Sequence, residues 1–206
     1  GFRELLPGVF NTNMFATSKT LWALKDKDGS CYQRTSEFCT FNKEGKRRAF
    51  IVGDSQMAAI MGELKNSLTK RSFAVLTSTM GGCWYLPEFN RIDLKTNIQD
   101  TCNASYHQKT KEVILEEKDG IVILGGRMPL YLSHEYFDNE EGGVEAGSHG
   151  FKYEHTNKAM DFKEGIILSI KELLNNNQHV ILIYPIPEVG WNVPRKLYKQ
   201  KKSYFK

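Results

Sequence analysis

The stretch that most constrains this chain is Ala49-Phe50-Ile51-Val52-Gly53-Asp54-Ser55-Gln56, together with the residues behind it to Leu68. Ala49 to Val52 is a short run of apolar, β-prone residues, which suits a buried strand. After Ser55 the apolar residues are Met57, Ile60, Met61, Leu64 and Leu68, the spacing of one face of an amphipathic helix. A strand therefore runs into a tight turn and a helix leaves it, with Gly53 supplying the backbone freedom the turn needs. Ser55 falls at the helix N-terminus with its hydroxyl outward. Amides there face whatever the hydroxyl attacks, and the helix dipole favours a developing negative charge. The competing role for Asp54 or Ser55 is helix capping, for which both residue types are favoured.

Three more buried strands follow from continuous apolar runs: Phe73 to Thr77, Gly120 to Leu124, and His179 to Tyr184, the last closed by Pro185 and Pro187. Between them the spacing predicts helices over Lys109–Lys118 and Lys158–Asn175, and an irregular segment over 84–106. A long excursion runs from about Met128 to Asn157, a length that marks functional or mobile loops. Upstream, Thr17 to Leu24 fits one short helix. Strands alternating with helices predict a three-layer αβα sandwich around a mostly parallel sheet. Residues 1–48 read as an N-terminal arm packed on an α/β domain spanning 49–206. In such sheets ligands bind beyond the carboxyl ends of the strands. Asp54-Ser55, Gly81-Gly82 and Gly125-Gly126-Arg127 all follow strand ends, so three motifs converge on one rim. That convergence favours Ser55 as a nucleophile over a simple cap.

Composition narrows the partners. The 206 residues are 40% hydrophobic with a net charge of +4, enough for one domain with a real core and too mildly basic for a nucleic-acid binder. The basic residues thicken over Lys196 to Lys206, which reads as a solvated tail. No apolar run is long enough to span a membrane, and no signal peptide is visible. The first residue is Gly1 and not Met, which points to a piece of a longer product. The four cysteines permit three pairings, of which the local one is Cys31–Cys39 with Cys83–Cys102; buried thiols are the alternative. Bridges would place the domain in an oxidising compartment. No Cys-x-x-Cys occurs and the histidines are remote in sequence from the cysteines, so neither metal nor cofactor is expected.

Gly53-Asp54-Ser55, the glycine at Gly82 (or Gly81) after the next strand, and the Gly125-Gly126-Arg127 block resemble the SGNH hydrolases. More narrowly, the chain is similar to SGNH domains fused behind polytopic membrane acyltransferases of the O-antigen acetylase kind. The shared texture is the Cys31–Cys39 arm with Phe38 and Phe41, Gly82-Cys83, the Arg of the third block, and Tyr184-Pro185-Ile186-Pro187-Glu188-Val189-Gly190-Trp191. The resemblance implies an SGNH/flavodoxin-like fold and Ser55 as nucleophile, supported by Asp54. Gly82 contributes an oxyanion-hole amide. Arg127 stands where the family carries Asn, to serve the oxyanion or the substrate. It further implies a periplasmic O-acetyltransferase acting on a bacterial surface polysaccharide, with an acetyl donor and an N-terminally fused membrane acyltransferase domain as partners.

One block is missing. The family's Asp-x-x-His, whose His is the general base, occurs nowhere in the chain, and the expectation is that the C-terminal end of the domain is not included. The histidines present are His107, His134, His149, His155 and His179. His149, in the glycine-rich excursion, is the in-chain candidate, and His179 reads as structural. Without a base a serine is a poor nucleophile. The alternatives are therefore a non-catalytic glycan-binding domain that assists a membrane acyltransferase, and a stand-alone carbohydrate esterase. Trp84, Tyr85, Tyr131 and Trp191 are candidate sugar-stacking aromatics, with core packing as the competing role.

Overall fold

The computed structural model describes residues 24–35, 38–133 and 150–185. Its centre is a five-stranded sheet in the order β3-β5-β4-β7-β9. These strands are β3 (Cys39–Phe41), β4 (Arg47–Gly53), β5 (Phe73–Thr79), β7 (Ile121–Gly125) and β9 (His179–Ile183). Four of them are parallel; β3 runs antiparallel along the outer edge of β5. A two-residue hairpin, β1 (Lys25–Asp26) with β2 (Gly29–Ser30), precedes the sheet. A separate antiparallel ribbon pairs β6 (Phe89–Asp93) with β8 (Phe151–His155).

Side-chain alternation along β4 divides the interior. Ile51 faces α1 (Ser55–Thr69), packing with Met57, Ala58, Met61, Val75 and Ile123, and Cys31 and Cys39 join that layer. Phe50 and Val52 face the opposite way. They pack with Leu76, Val122 and Leu124, with Tyr106 and Ile114 of α2 (Ala104–Leu115), and with Phe162, Ile166 and Leu173 of α4 (Phe162–Asn175). Three layers result, as the alternating pattern predicts. The chain passes from β4 to β5 through α1, then crosses back over β4 to reach β7 through α2. The strand order therefore reverses at β4, and a crevice opens at the carboxyl end of such a reversal.

The element boundaries differ from the sequence expectation where capping outweighs apolar spacing. The helix expected from Lys109 begins at Ala104, because the Asn103 side chain accepts the Tyr106 amide. The helix expected from Lys158 begins at Phe162, because Asp161 accepts the Glu164 amide. The segment 84–106, expected to be irregular, contains β6. The excursion after Met128 contains α3 (Met128–Ser133) and β8. The residues of the short helix expected over Thr17–Leu24, apart from Leu24 itself, lie outside the described residues. Both local disulfides, Cys31–Cys39 and Cys83–Cys102, are formed. Among the described residues no helix is long and apolar enough to cross a membrane.

Candidate functional site

Parallel register brings the three rim motifs together. Gly53, at the end of β4, pairs with Thr79 of β5 on one side and Gly125 of β7 on the other. The Met80 amide reaches back to the Gly53 carbonyl at 3.0 Å. Gly53 has φ +151°, and a side chain there would collide with the Gly125 carbonyl, so only glycine lets β4 and β7 converge at this height. One residue further, Asp54 caps α1 and Ser55 opens it, half-buried at the crevice.

Asp54 is fully buried and ties the rim together. Its carboxylate accepts from the Gln56 amide at 2.8 Å, from the Arg127 amide at 2.6 Å, and from the Tyr131 hydroxyl. Burial pushes its carboxyl above the usual carboxylate range, while the Arg127, Tyr131, Gln56 and Met57 donors pull the other way. Gly126 makes room for this: a Cβ there would sit 2.7 Å from Asp54 Oδ2. Thus Asp54 is the cap, as one sequence reading held, and at the same time the tether that sets Arg127 beside Ser55.

With Asp54 taking the Gln56 and Met57 amides, the Ser55 N–H has no hydrogen-bond partner among the described residues. The same is true of the Gly82 N–H, on the loop that follows β5. The rest of that loop is well secured. Cys83 N–H donates to the Met80 carbonyl at 3.1 Å, Trp84 N–H donates to Tyr153 Oη at 3.0 Å, and Tyr153 in turn donates to the Gly82 carbonyl at 2.9 Å. Cys83 is bonded to Cys102. These two amides, unpaired among the described residues and set just past the carboxyl ends of β4 and β5, are donors of the kind that can hold an oxyanion.

A family model described as the SGNH domain (fused to AT3 domains) matches residues 25–205. The chain belongs to that family. Its fold is also that of a solved structure, the periplasmic domain of the lipopolysaccharide acetyltransferase of Salmonella ser. Paratyphi A. The TM-score is 0.55 at 16% identity, over 97% of this chain and 67% of that one. No curated protein matches significantly. This is therefore an acyltransferase-associated SGNH domain, and the match takes in the disulfide arm from residue 25 as well as the sheet.

Within this SGNH domain the remaining candidates separate clearly. His107 is buried beside the Cys83–Cys102 bridge, and burial, aided by the Arg91 charge, drives its pKa down to about 3. His179 starts β9, at the end of the sheet away from the rim, and pairs with Asp119 at 2.6 Å. His155 has both ring nitrogens engaged, Nε2 with Glu88 and Nδ1 with the Asn157 and Lys158 amides. None of these three is placed to act on Ser55. His134, His149 and Trp191 lie outside the described residues. Trp84, Tyr85 and Tyr131 are each at most 2% exposed, so they are core residues and not sugar platforms. The groupings Cys83/Cys102/His107 and Asp26/Cys31/Cys39 each contain a disulfide, whose sulfurs offer no thiolate to a metal.

Three residues that the sequence reading passed over stand at the rim. Tyr153 and Arg91 come from the β6–β8 ribbon, whose alternation Phe151-Tyr153-His155 was the available signal. Tyr32 comes from the arm, bridging to Thr79, and its hydroxyl lies 2.6 Å from where a Gly81 Cβ would stand. The Cys31–Cys39 bond and the Arg34–Asp26 pair, at 2.7 Å, hold that arm in place.

Proposed function

We propose that this SGNH domain transfers acetyl groups to a hydroxyl of a bacterial surface polysaccharide through Ser55, on the periplasmic side and in company with a membrane acyltransferase domain. The observation that carries the reading is the pair of amides, Ser55 and Gly82, that have no partner among the described residues and follow adjacent strands at the reversal point of the sheet. Ser55 Oγ attacks the carbonyl carbon of an acetyl ester donor as a base takes its proton. The oxyanion is held by the two amides, and the donor's alkoxide leaves with the proton. A sugar hydroxyl then attacks the acetyl-serine carbonyl, and Oγ regains a proton as the new ester departs. Arg127, anchored through its backbone to Asp54, offers a fixed positive charge with several donors to the oxyanion or the glycan. The base is a histidine outside the described residues: His149, or that of an Asp-x-x-His block, which residues 1–206 do not contain.

The engagement of His107, His155 and His179 away from Ser55 favours one second reading, a glycan-binding domain that presents polysaccharide to the membrane partner without turnover. Mass spectrometry after exposure to an activated aryl acetate separates the two. One added acetyl on the wild type and none on Ser55→Ala supports transfer. Equal labelling of both, or of neither, rejects Ser55 as the nucleophile.

A further inference from the structure

The turn that carries the Gly82 amide is contacted by a residue from a different part of the fold. Arg91, in the middle of β6, points its guanidinium beneath the Gly81-Gly82 turn. Nη1 donates to the Gly81 carbonyl at 2.7 Å. Nε and Nη2 grip Asp100 Oδ2 at 2.7 and 2.6 Å, and the guanidinium carbon lies 5.0 Å from the centre of the Phe151 ring. The Arg91 backbone is fixed as well, its amide donating to the Cys102 carbonyl at 2.9 Å. The guanidinium is therefore held on three sides: by a carboxylate, by an aromatic face and by the Gly81 carbonyl.

A peptide unit is planar and trans, so its carbonyl and its N–H point in opposite directions. The carbonyl of Gly81 and the N–H of Gly82 belong to one such unit. Drawing the carbonyl inward onto Arg91 turns the Gly82 N–H outward. A charge-assisted bond to the carbonyl also polarises the unit, which strengthens the N–H as a donor. Gly82 has φ +62°, and a Cβ there would stand 2.7 Å from Arg91 Nη1 and 3.3 Å from Phe151. The glycine and the arginine thus require each other: the guanidinium occupies the space that any side chain would need.

We infer that Arg91 is a positioning residue that sets the direction and the polarity of the Gly82 oxyanion donor. This rests on the reading of Ser55 as nucleophile. Arg91 touches neither donor nor acceptor; it acts through the Gly81–Gly82 peptide.

The experiment compares Arg91→Met and Arg91→Lys with the wild type in the full natural chain. The kcat for acetylation of Ser55 by an activated aryl acetate falls about 10- to 100-fold in Arg91→Met, short of the ~10²–10³ lost when an oxyanion donor is removed outright. KM stays within about threefold, because the amide acts on the developing charge and not on the bound ester. Arg91→Lys, which keeps the charge but not the fork, falls between the two. Affinity for methylboronic acid, whose serine adduct presents a tetrahedral oxygen to the same amides, drops in parallel with kcat. Leu173→Ala, a core change on α4, lowers the melting temperature and leaves kcat unchanged. Independently of catalysis, the Gly82 amide proton moves upfield in the NMR spectrum of Arg91→Met. Unchanged kcat with an unmoved Gly82 resonance overturns the assignment, as does a kcat loss in Leu173→Ala equal to that in Arg91→Met. A moved resonance in a chain whose wild type is never acetylated upholds the aiming by Arg91 and overturns the Ser55 reading instead.

Discussion

The carboxylate of Asp54 accepts the backbone amide of Arg127 at 2.6 Å, joining two turns 73 residues apart. The turn that carries Ser55 is thereby locked to the turn that carries Arg127, with the Tyr131 hydroxyl as a second strut. One buried side chain caps a helix and sets the spacing of the rim.

Replacing Asp54 with Ala leaves the Arg127 amide, the Tyr131 hydroxyl and the first turn of α1 without their acceptor. Loss of a cap costs about 1 kcal/mol, and each buried donor left unpaired about 1–3 kcal/mol. The expected destabilisation is about 3–7 kcal/mol, read as a lowered urea midpoint. Asp54→Asn keeps one acceptor oxygen and falls between Ala and the wild type. A Tyr131→Phe change, which removes one donor and its partner bond together, costs less than Asp54→Ala.

Two glycine-to-alanine changes have opposite signs. At Gly126 a Cβ meets Asp54 Oδ2 at 2.7 Å and Trp84 Cε3 at 3.0 Å, both buried and held. Overpacking there destabilises by about 1–3 kcal/mol and also pushes Asp54 off the Arg127 amide. At Gly62, inside α1, a Cβ meets nothing within 4 Å. Gly62→Ala stabilises by about 0.5–1 kcal/mol through helix propensity and the unfolded chain. Thermal melts of the two variants move in opposite directions from the wild type.

The two disulfides differ in what they hold. Cys83–Cys102 closes a span of 19 residues and Cys31–Cys39 a span of 8, contributing about 3 and about 2–3 kcal/mol in the chain-entropy model. The Cys83→Ala/Cys102→Ala pair should lower the melting temperature by about 6–12 °C for a domain of this size. On the proposed reading it also depresses acetylation of Ser55, since Cys83 adjoins Gly82. The Cys31→Ala/Cys39→Ala pair frees the arm that carries Tyr32, and its stability loss is the smaller of the two. Calorimetry ranks the pairs.

His107 makes stability fall on acidification. Its pKa is about 3 in the folded chain, against an ordinary 6.5 in the unfolded one, because burial disfavours the charged ring. Below pH ~6.5 the unfolded chain takes up a proton that the folded chain refuses, so unfolding is favoured as pH drops toward about 3. The slope approaches about 1.4 kcal/mol per pH unit for this one group. Most carboxylates titrate nearer pH 4, and the comparison with His107→Gln separates the histidine from Asp54, whose buried carboxyl is raised above that range. Denaturant titrations from about pH 6.5 down to 5 should show the slope in the wild type and a flatter profile in His107→Gln.

The parts legible in the sequence are those that local periodicity dictates. The run Ala49 to Val52 and the spacing Met57, Ile60, Met61, Leu64, Leu68 are one element each, and burial of one face or both leaves the same signature wherever the element packs. Strand ends followed by glycine, serine or arginine then pointed to a shared rim, and short cysteine spacings allowed the local bridges. Polar caps were equally local, at Asn103 and Asp161, yet apolar spacing drew the expected helix starts away from them. The strand Phe89–Asp93 was beyond local reach, because its partner Phe151–His155 lies some sixty residues on and a ribbon has no identity apart from its pairing.

What the amino-acid order determined by itself is the sequence of strands and helices and the placing of Ser55 at the start of one of them. Tertiary structure alone decided which side chains meet: Asp54 with Arg127, Tyr153 with the Gly82 carbonyl, Arg91 with the Gly81 carbonyl, and Trp84 and Tyr131 in the core instead of at the surface. The physical reason is one of range. The period of an element reflects the water and core on its two sides, which neighbouring residues record. A hydrogen bond across the fold depends on register and on space left by absent side chains, and no stretch of adjacent residues encodes either.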